Sequence, residues 1–296
     1  MRQSRGAGFW ALAAVFAGFV LFLYGPMAII VLLSFQGPGG GLTFPLQGLS
    51  WHWYAELARG LGVVDIGSAL MRSLALGAVV MLITVVFSVL AGLAFRKRLV
   101  WGQALFLVAV ASLIMPSIIV SLGIGLEFRL IDVLLKAIFP ALGWDDLAQR
   151  YGTALGLWTS ALGAHLSWTL PFGLLIMFAV FNRFDRSLEE AARDLGATPW
   201  QSFRHVVLPL IGPALVGVAM FGFTLSWDEI ARTSQAIGDV NTLPLELQGL
   251  TTTVTTPAIY ALASVTMLVS FVVLLLALLL VRHLRGRASA SRRSEA

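Results

Sequence analysis

Apolar runs long enough to cross a lipid bilayer constrain this sequence more than any other feature. A membrane-spanning helix needs about 20 predominantly apolar residues, whereas a barrel strand needs only about 9–11. Six stretches of the longer kind occur along the chain. Because the backbone must satisfy its own hydrogen bonds in lipid, runs of this length indicate helices. The sequence therefore predicts an all-α polytopic membrane protein with six transmembrane helices.

The six predicted spans are interrupted by proline at several points. We expect them at approximately Gly8–Phe35, Ser73–Phe95, Gly102–Leu126, Ala154–Phe181, Leu208–Leu225 and Ala258–Val281. The first span is expected to break near Gly25 and Pro26. Pro116 and Pro171 lie inside the third and fourth spans, where neighbouring helices can satisfy the carbonyl groups that proline leaves free.

The composition agrees with one membrane domain. Of the 296 residues, 58% are apolar and 12% are charged, against about 25% charged residues in soluble domains. We interpret residues 1–296 as a single transmembrane domain, with a core at about 69–282 and a basic cytoplasmic tail at 283–296. The chain contains no cysteine, which excludes disulfides, a thiolate nucleophile and cysteine-ligated metals.

The positions of lysine and arginine predict the orientation of the spans. Cytoplasmic segments of membrane proteins carry an excess of these residues. With the N-terminus inside, the inside segments hold more than two thirds of the 20 Lys and Arg residues, including the Arg96–Arg98 cluster. The outside segments hold Arg59, Arg72, Arg129, Lys136, Arg150 and Arg232. We therefore expect both termini in the cytoplasm, and the net charge of +5 requires no nucleic-acid partner.

Two outer connections differ in character. Glu127–Arg150 has apolar residues at helical spacing, among them Phe128, Ile131 and Leu135. This spacing indicates an amphipathic helix that lies at the interface or packs against the bundle. The connection from residue 36 to residue 72 opens with GPGGG and is predicted to be a flexible loop.

A polar segment, LEEAARDLGATPWQSFRHVVLPL at residues 188–210, lies between the fourth and fifth spans. Ser187–Glu190 has the spacing of a capping box, in which serine caps the helix and glutamate reaches back to the serine amide. Gly196 marks a helix end because glycine tolerates positive φ. Thr198–Gln201 is a second capping box, with proline at the first helical position. The segment is predicted to form a helix, a tight turn and a second helix in the cytoplasm.

The same segment resembles the EAA motif of ABC importer permeases, EAA-x3-G-x9-I-x-L-P. The matching residues are Glu190, Ala191, Ala192, Gly196, Val206, Leu208 and Pro209. The only departure is Val206, which replaces isoleucine with another β-branched apolar residue. The six spans, and the position of the motif before the penultimate span, extend the resemblance to nearly the whole chain. The resemblance implies the fold of a type I ABC importer permease.

In that family, the loop with this motif forms coupling helices that dock in a cleft on a cytoplasmic ATPase subunit. The resemblance implies that residues 186–205 are this coupling loop, called the EAA loop below. It places at the docking surface Glu190, Ala191, Ala192, Leu195, Gly196, Ala197 and Thr198. Two roles stay open for Glu190, whose carboxylate could pair with a basic group on the ATPase or cap its own helix.

The resemblance also implies an assembly in a bacterial inner membrane. The expected partners are an ATPase dimer, a second homologous permease subunit, an extracytoplasmic substrate-binding protein and membrane lipid. The chain has no G-x-x-x-x-G-K-[ST] phosphate loop, since GPGGGL at residues 37–42 has no following lysine. Its histidines show no HExxH spacing. We expect a non-enzymatic subunit that binds no cofactor, with ATP and Mg²⁺ on the partner ATPase.

A second stretch, TLSWDE at residues 224–229, is similar to the S-x-D-[DE] stretch of polyamine-type permeases. The similarity implies a substrate pathway that includes Trp227, Asp228 and Glu229. Acidic groups suit a cationic substrate, and a tryptophan ring adds cation–π attraction. Arg232 lies within reach of either acid, so a role in positioning the outer loop stays open for both.

The expected substrate is a polyamine such as putrescine or spermidine, and phosphonates, opines and ferric iron remain alternatives. An ion-driven secondary transporter is less favoured. That class has inverted repeats and broken helices at the membrane midplane, whereas this sequence shows no convincing repeat and its charges cluster at span ends. A membrane-bound enzyme is disfavoured because no paired nucleophile and base, and no metal-ligand cluster, stands out.

Overall fold

The computed structural model describes residues 6–60, 65–96, 101–253 and 256–293, with side chains up to residue 282. Four of the charges used to predict the orientation, Arg2, Arg5, Lys97 and Arg98, lie outside the described residues. The side chains of the basic tail at 283–296 lie outside them as well. Orientation therefore stays a prediction from the sequence.

The described chain is helical between its loops, with one isolated β-bridge joining Gln36 and Leu49. The helices are α1 (Ala7–Leu33), α2 (His52–Arg59), α3 (Ile66–Phe95), α4 (Gly102–Ile114), α5 (Ser117–Ala141), α6 (Asp145–Arg150), α7 (Leu162–Asn182), α8 (Ser187–Asp194), α9 (Pro199–Ser202), α10 (Leu208–Trp227), α11 (Leu243–Thr253) and α12 (Ala258–Arg293). A π-helical turn, Leu157–Ala161, leads into α7, and a second, Phe203–Val207, joins α9 to α10.

Five of the six predicted spans are found as long apolar helices, and the third is divided into two helices. Five helices are long and apolar enough to cross a membrane: Ala7–Leu33, Ile66–Phe95, Leu157–Asn182, Pro199–Trp227 and Ala258–Arg282. The predicted break in the first span is wrong, since α1 continues through Pro26. A proline inside a helix removes only one backbone hydrogen bond, and α1 accommodates that loss without ending.

The third span is broken into two helices, although the sequence predicted one continuous span. Its two parts, α4 and α5, meet at an angle of 108°. Met115 adopts an extended conformation (φ −70°, ψ 134°), as the residue before a proline usually does. Pro116 then precedes the first residue of α5. The helix predicted within Glu127–Arg150 is present, but it is the continuation of α5 to Ala141, and α6 follows it at Asp145–Arg150.

The chain divides into two compact units: residues 1–67 with 246–269, and residues 68–245 with 270–296. In the first unit, the loop after α1 is ordered around the buried side chain of Gln36. Its Nε2 donates to the carbonyl oxygens of Gly41, Thr43 and Pro45, and its Oε1 accepts from the backbone N–H of Gln47 at 2.7 Å. One buried amide therefore shapes the segment that the sequence predicted to be flexible.

In the second unit, α3, α7 and α10 pack closely because small residues lie where they cross. A Cβ added at Gly222 of α10 would lie 3.1 Å from the Cα of Met81 in α3. The hydroxyl of Thr84 in α3 donates to that of Thr169 in α7 at 2.9 Å, away from solvent. Small residues and interhelical hydrogen bonds are the usual means of helix association in membranes.

The end of this bundle that carries the EAA loop is filled by apolar side chains. The buried cluster consists of Val89, Met177, Phe181, Val207, Ile211 and Val218. Its members come from α3, α7, the π-helical turn before α10, and α10 itself. The EAA loop therefore emerges from a packed end of the bundle.

Candidate functional site

The EAA loop consists of two short helices joined by a tight turn, as the sequence predicts. Gly196 adopts φ +87° between α8 and α9. Its backbone N–H donates to the carbonyl of Arg193 at 2.8 Å, and the N–H of Ala197 donates to the carbonyl of Ala192 at 3.0 Å. These bonds satisfy carbonyl groups that the end of α8 would otherwise leave free.

Of the two predicted capping boxes, one is present. Thr198 Oγ1 accepts from the backbone N–H of Gln201 at 3.3 Å, and Gln201 Oε1 accepts from the N–H of Thr198 at 2.8 Å. The box at Ser187–Glu190 is wrong. Ser187 is already the first residue of α8, and its N–H donates to Asp185 Oδ1 at 3.0 Å. Hydrogen bonds from the Ser187 side chain and then its backbone hold the pKa of Asp185 below its ordinary value.

This arrangement leaves Glu190 free of the capping role that the sequence left open. Its side chain is exposed, and within the described residues it makes no hydrogen bond or ion pair. The other predicted docking residues surround the turn, where Ala191, Gly196 and Thr198 are exposed and Ala192 and Ala197 are half-buried. Leu195 protrudes furthest, with 90% of its surface exposed.

The α9 helix is continuous with the fifth span. The helical backbone runs from Pro199 through the π-helical turn to Trp227. On α9, Trp200 is 66% exposed and stacks on Phe203 with a centroid distance of 5.6 Å. Force applied to the second half of the EAA loop therefore reaches the membrane without passing through a flexible joint.

Two functional candidates were not predicted from the sequence: Arg96 lies beside the EAA loop, and Glu189 lies within it. Arg96, one residue after α3, forms an ion pair with Glu189 of α8, with 2.7 Å between Nη1 and Oε1. Both side chains lie at the wall of a groove of about 570 Å³, together with Glu190, Trp200 and Phe203. The sequence analysis treated Arg96 as an orientation signal, and no local spacing rule relates it to Glu189.

At the other candidate site, Trp227, Asp228 and Glu229 follow one another but have different surroundings. Trp227 ends α10, is buried, and stacks on Phe223 with a centroid distance of 5.9 Å. Asp228 is exposed immediately after the helix, and partial desolvation raises the pKa of its carboxyl group. Glu229 is buried, and its Oε1 accepts from the backbone N–H of Arg232 at 2.8 Å. Only Asp228 presents a carboxylate to solvent.

Arg232 is buried and fixes the loop after α10. Its Nη1 donates to Ser167 Oγ at 2.8 Å, and its guanidinium lies 5.1 Å from the ring centroid of Trp168. Its Nε is 4.0 Å from Glu229 Oε2. Burial lowers the pKa of Arg232, and the Glu229 carboxylate opposes this change. Glu229 therefore positions this loop, whatever further part it has in transport.

His165 of α7 contributes a second buried link to the same region. Its Nδ1 lies 2.7 Å from Ser226 Oγ, and its Nε2 lies 2.9 Å from Thr233 Oγ1. Both ring nitrogens are thus used in hydrogen bonds between elements. Among the described residues, no three His, Asp or Glu side chains come close enough to hold a metal ion.

Comparison with known proteins identifies the family to which this chain belongs. Residues 84–286 match the family described as the binding-protein-dependent transport system inner membrane component. The chain is a member of that family. It is 30% identical over 263 residues to the spermidine/putrescine permease protein PotC of Haemophilus influenzae, covering 88% of this chain and 92% of that protein. It is also 30% identical over 239 residues to the putrescine permease protein PotI of Escherichia coli, covering 80% of this chain and 78% of that protein.

Solved structures support the same fold. A chain of a bacterial ABC transporter that imports alginate aligns with a TM-score of 0.64 at 16% identity, covering 94% of this chain and 96% of that one. A chain of the MetNI methionine ABC transporter aligns with a TM-score of 0.53 at 19% identity, covering 80% of this chain and 99% of that one. The family match and the two permease relatives make the protein a multi-pass inner-membrane permease subunit of an ABC importer, which is a transport subunit and not an enzyme.

Proposed function

We propose that this permease forms half of the translocation pathway for a polyamine such as putrescine or spermidine. The observation that carries the proposal is the EAA loop, whose exposed turn at Leu195 and Gly196 presents a docking surface continuous with a membrane span. The partners are an ATPase dimer, a second homologous permease and an extracytoplasmic substrate-binding protein. ATP and Mg²⁺ bind to the ATPase, and this chain binds no cofactor.

The proposed mechanism is alternating access driven through the EAA loop. Closure of the ATPase dimer on ATP displaces α8 and α9, and α10 moves with them because the helix is continuous. Transport requires that substrate and ATP bind differently to the inward-facing and outward-facing states. The permease supplies the two states, and the ATPase supplies the free energy that shifts their populations.

The docking surface combines an apolar projection with an acidic group. Leu195 and Trp200 are apolar and exposed, and tryptophan is enriched among the contact residues at the centre of an interface. Glu190 is unpaired among the described residues and is available to a basic group on the ATPase. The small side chains of Ala191 and Ala192 allow close approach of the partner.

The assignment of a polyamine rests on the similarity to PotC and PotI and on the chemistry at the end of α10. Asp228 offers an exposed carboxylate, whereas the neighbouring rings of Phe223 and Trp227 are buried and stack on each other. An exposed carboxylate attracts a cationic amine. Phosphonates, opines and ferric iron remain the alternative substrates for the same type of permease.

A mild-detergent pull-down of the tagged chain from its native membrane, followed by mass spectrometry, tests the assembly. An ATPase with a phosphate loop and a second six-span permease are expected to elute with it. Elution of the chain alone in several detergents would contradict the proposal and favour an ion-driven transporter. The co-eluting binding protein is then titrated with putrescine, spermidine, a phosphonate and ferric iron, and binding of only the last two would refute the polyamine assignment.

Replacement of Leu195 by aspartate tests the docking surface directly. The variant places a charge at an exposed apolar contact and is expected to lose the ATPase in the pull-down while the second permease is retained. Leu147→Asp, at an exposed position of α6, is the matched control. Equal retention of the ATPase by both variants would show that the turn is not the docking surface.

Orientation can be tested in the same chain because it has no native cysteine. A single cysteine at Thr198 is expected to react with a membrane-impermeant thiol reagent in inside-out vesicles and not in intact cells. A cysteine at Arg59 is expected to show the reverse pattern. Labelling of Thr198→Cys from outside the cell would overturn the predicted topology.

A further inference from the structure

The cytoplasmic end of α3 is held to the EAA loop by an ion pair that the family motif does not contain. Arg96 Nη1 and Glu189 Oε1 are 2.7 Å apart, and the two side chains are only 13% and 14% exposed. A pair so shielded from water has a stronger mutual attraction than an exposed pair, because solvent screens it less. Among the described residues, Glu189 Oε1 has no hydrogen-bond partner that would replace Arg96.

The guanidinium of Arg96 also contacts the end of α7. It lies 5.3 Å from the ring centroid of Phe181 and 5.1 Å from that of Phe184, close enough for cation–π attraction to both. Next to it, a Cβ at Gly92 of α3 would lie 2.6 Å from the Phe181 ring. The absence of a side chain at Gly92 therefore lets α3 and α7 approach at this point.

A second bond connects the same two segments. Arg186, directly before α8, donates from Nη2 to the backbone carbonyl of Arg96 at 2.9 Å. Two side chains therefore attach the start of α8 to the end of α3. Arg96 pairs with Glu189, and Arg186 binds the backbone of Arg96. The contact between Arg193 and Glu189 Oε2, at 4.0 Å, adds little because the Arg193 side chain is 57% exposed and solvent screens its charge.

We propose that Arg96 is a positioning residue that transmits movement of the EAA loop to α3, with Glu189 as its partner. The loop is joined covalently to α7 and α10 and, through Arg96, non-covalently to α3. All three helices meet in the packed bundle around Thr84 and Thr169. Movement of α8 therefore also shifts α3, a span that is not adjacent to it in sequence. This inference rests on the docking role proposed above for the EAA loop.

The test uses the assembled transporter in proteoliposomes, with uptake of putrescine and ATP hydrolysis measured on the same preparation. Arg96→Gln and Glu189→Gln are each expected to lower the uptake per ATP hydrolysed by at least about fivefold, the lower end of typical coupling between sites. The ATPase is expected to co-purify normally. Because the two residues act as one unit, the double variant should be no worse than the more impaired single variant.

Two controls separate positioning from other causes. Arg59→Gln removes the cation of an exposed ion pair, Arg59 with Glu56 at 3.1 Å, and is expected to leave coupling unchanged. Arg96→Lys keeps the charge and is expected to recover part of the coupling. It also keeps the test valid if Arg96→Gln fails to accumulate in the membrane.

A cross-link provides an independent readout, since the chain has no cysteine of its own. The Arg96→Cys/Glu189→Cys variant is expected to be poorly coupled and to regain coupling when a short bifunctional thiol reagent joins the two positions. The other subunits must carry no reactive cysteine in this experiment. A cross-link that forms without raising the uptake per ATP would overturn the proposal.

Other outcomes also overturn the proposal. Full coupling in Arg96→Gln, or losses that add in the double variant, would show that the pair transmits nothing. Loss of ATPase co-purification in parallel with uptake would place both residues at the docking interface instead. Failure of the docking role itself is distinguished by Leu195→Asp, which would then retain the ATPase.

Discussion

Substitution of Gly196 separates the effect of backbone conformation in the EAA loop from the effect of side-chain contacts. Its φ of +87° lies in the left-handed region, where a side chain costs about 1–2 kcal/mol. A Cβ at this position would meet no atom within 4 Å, so steric conflict within the chain adds nothing. Gly196→Ala therefore measures backbone strain, and 1–2 kcal/mol corresponds to a factor of about 5–30 in the population of the native turn.

The structure ranks three substitutions at this position. Asparagine tolerates the left-handed region better than alanine does, so Gly196→Asn should retain the most uptake. Gly196→Ala should lose uptake in proportion to the lost turn population. Gly196→Pro should abolish uptake while the chain stays in the membrane, because proline fixes φ near −65° and has no N–H to donate to Arg193.

The assay is initial-rate uptake of putrescine in cells that contain equal amounts of each variant in the membrane, with ATPase co-purification measured in parallel. Gly143→Ala is the matched control, because Gly143 also has a positive φ (+72°) and free space around its Cβ but lies after α5. Normal uptake by Gly196→Pro would refute the coupling role of the turn. Equal losses in Gly143→Ala and Gly196→Ala would refute the argument that the strain acts through the EAA loop.

Three further predictions concern the bundle and the end of α10. Asp228→Asn should lower uptake while ATPase co-purification is unchanged, because it removes an exposed carboxylate far along the chain from the EAA loop; equal loss of both would indicate misfolding. Gly222→Leu should destabilise the detergent-solubilised protein by about 1–3 kcal/mol through overpacking against the α3 backbone, and the Tm of Gly217→Leu, where a Cβ meets no atom within 4 Å, should fall less. His165→Leu removes two buried hydrogen bonds, each worth about 0.6 kcal/mol within a membrane bundle, so the Tm of the solubilised protein should fall. An unchanged Tm would show that these bonds do not stabilise the protein.

The features predicted correctly from the sequence are those that depend on neighbouring residues. The spans follow from runs of apolar side chains, which are continuous in the sequence. The turn at Gly196 and the capping box at Thr198–Gln201 depend on residues at most five positions apart. In each case the physical cause acts over a few residues, and a single sequence contains all of it.

The wrong predictions have causes that the local pattern does not contain. Ser187 has the spacing of a cap, but Asp185 accepts its N–H first and moves the start of α8. Pro26 and Pro116 both lie in apolar runs, but α1 continues through Pro26, whereas the helix axis bends by 108° at Pro116. The difference depends on what packs around each proline, which the sequence pattern alone does not reveal.

The sequence left open whether Glu190 caps its own helix or pairs with the ATPase. The surroundings of Glu189 and Glu190 narrow this question. Successive residues on a helix point about 100° apart, so the two carboxylates of α8 have different surroundings. Both line the same groove, but Glu189 pairs with Arg96, whereas Glu190 has no partner among the described residues. In the proposed mechanism, one acid attaches the loop to the spans and the other is available to a docked subunit. A coupling element needs both kinds of contact, because docking without attachment would move α8 alone and attachment without docking would transmit no force.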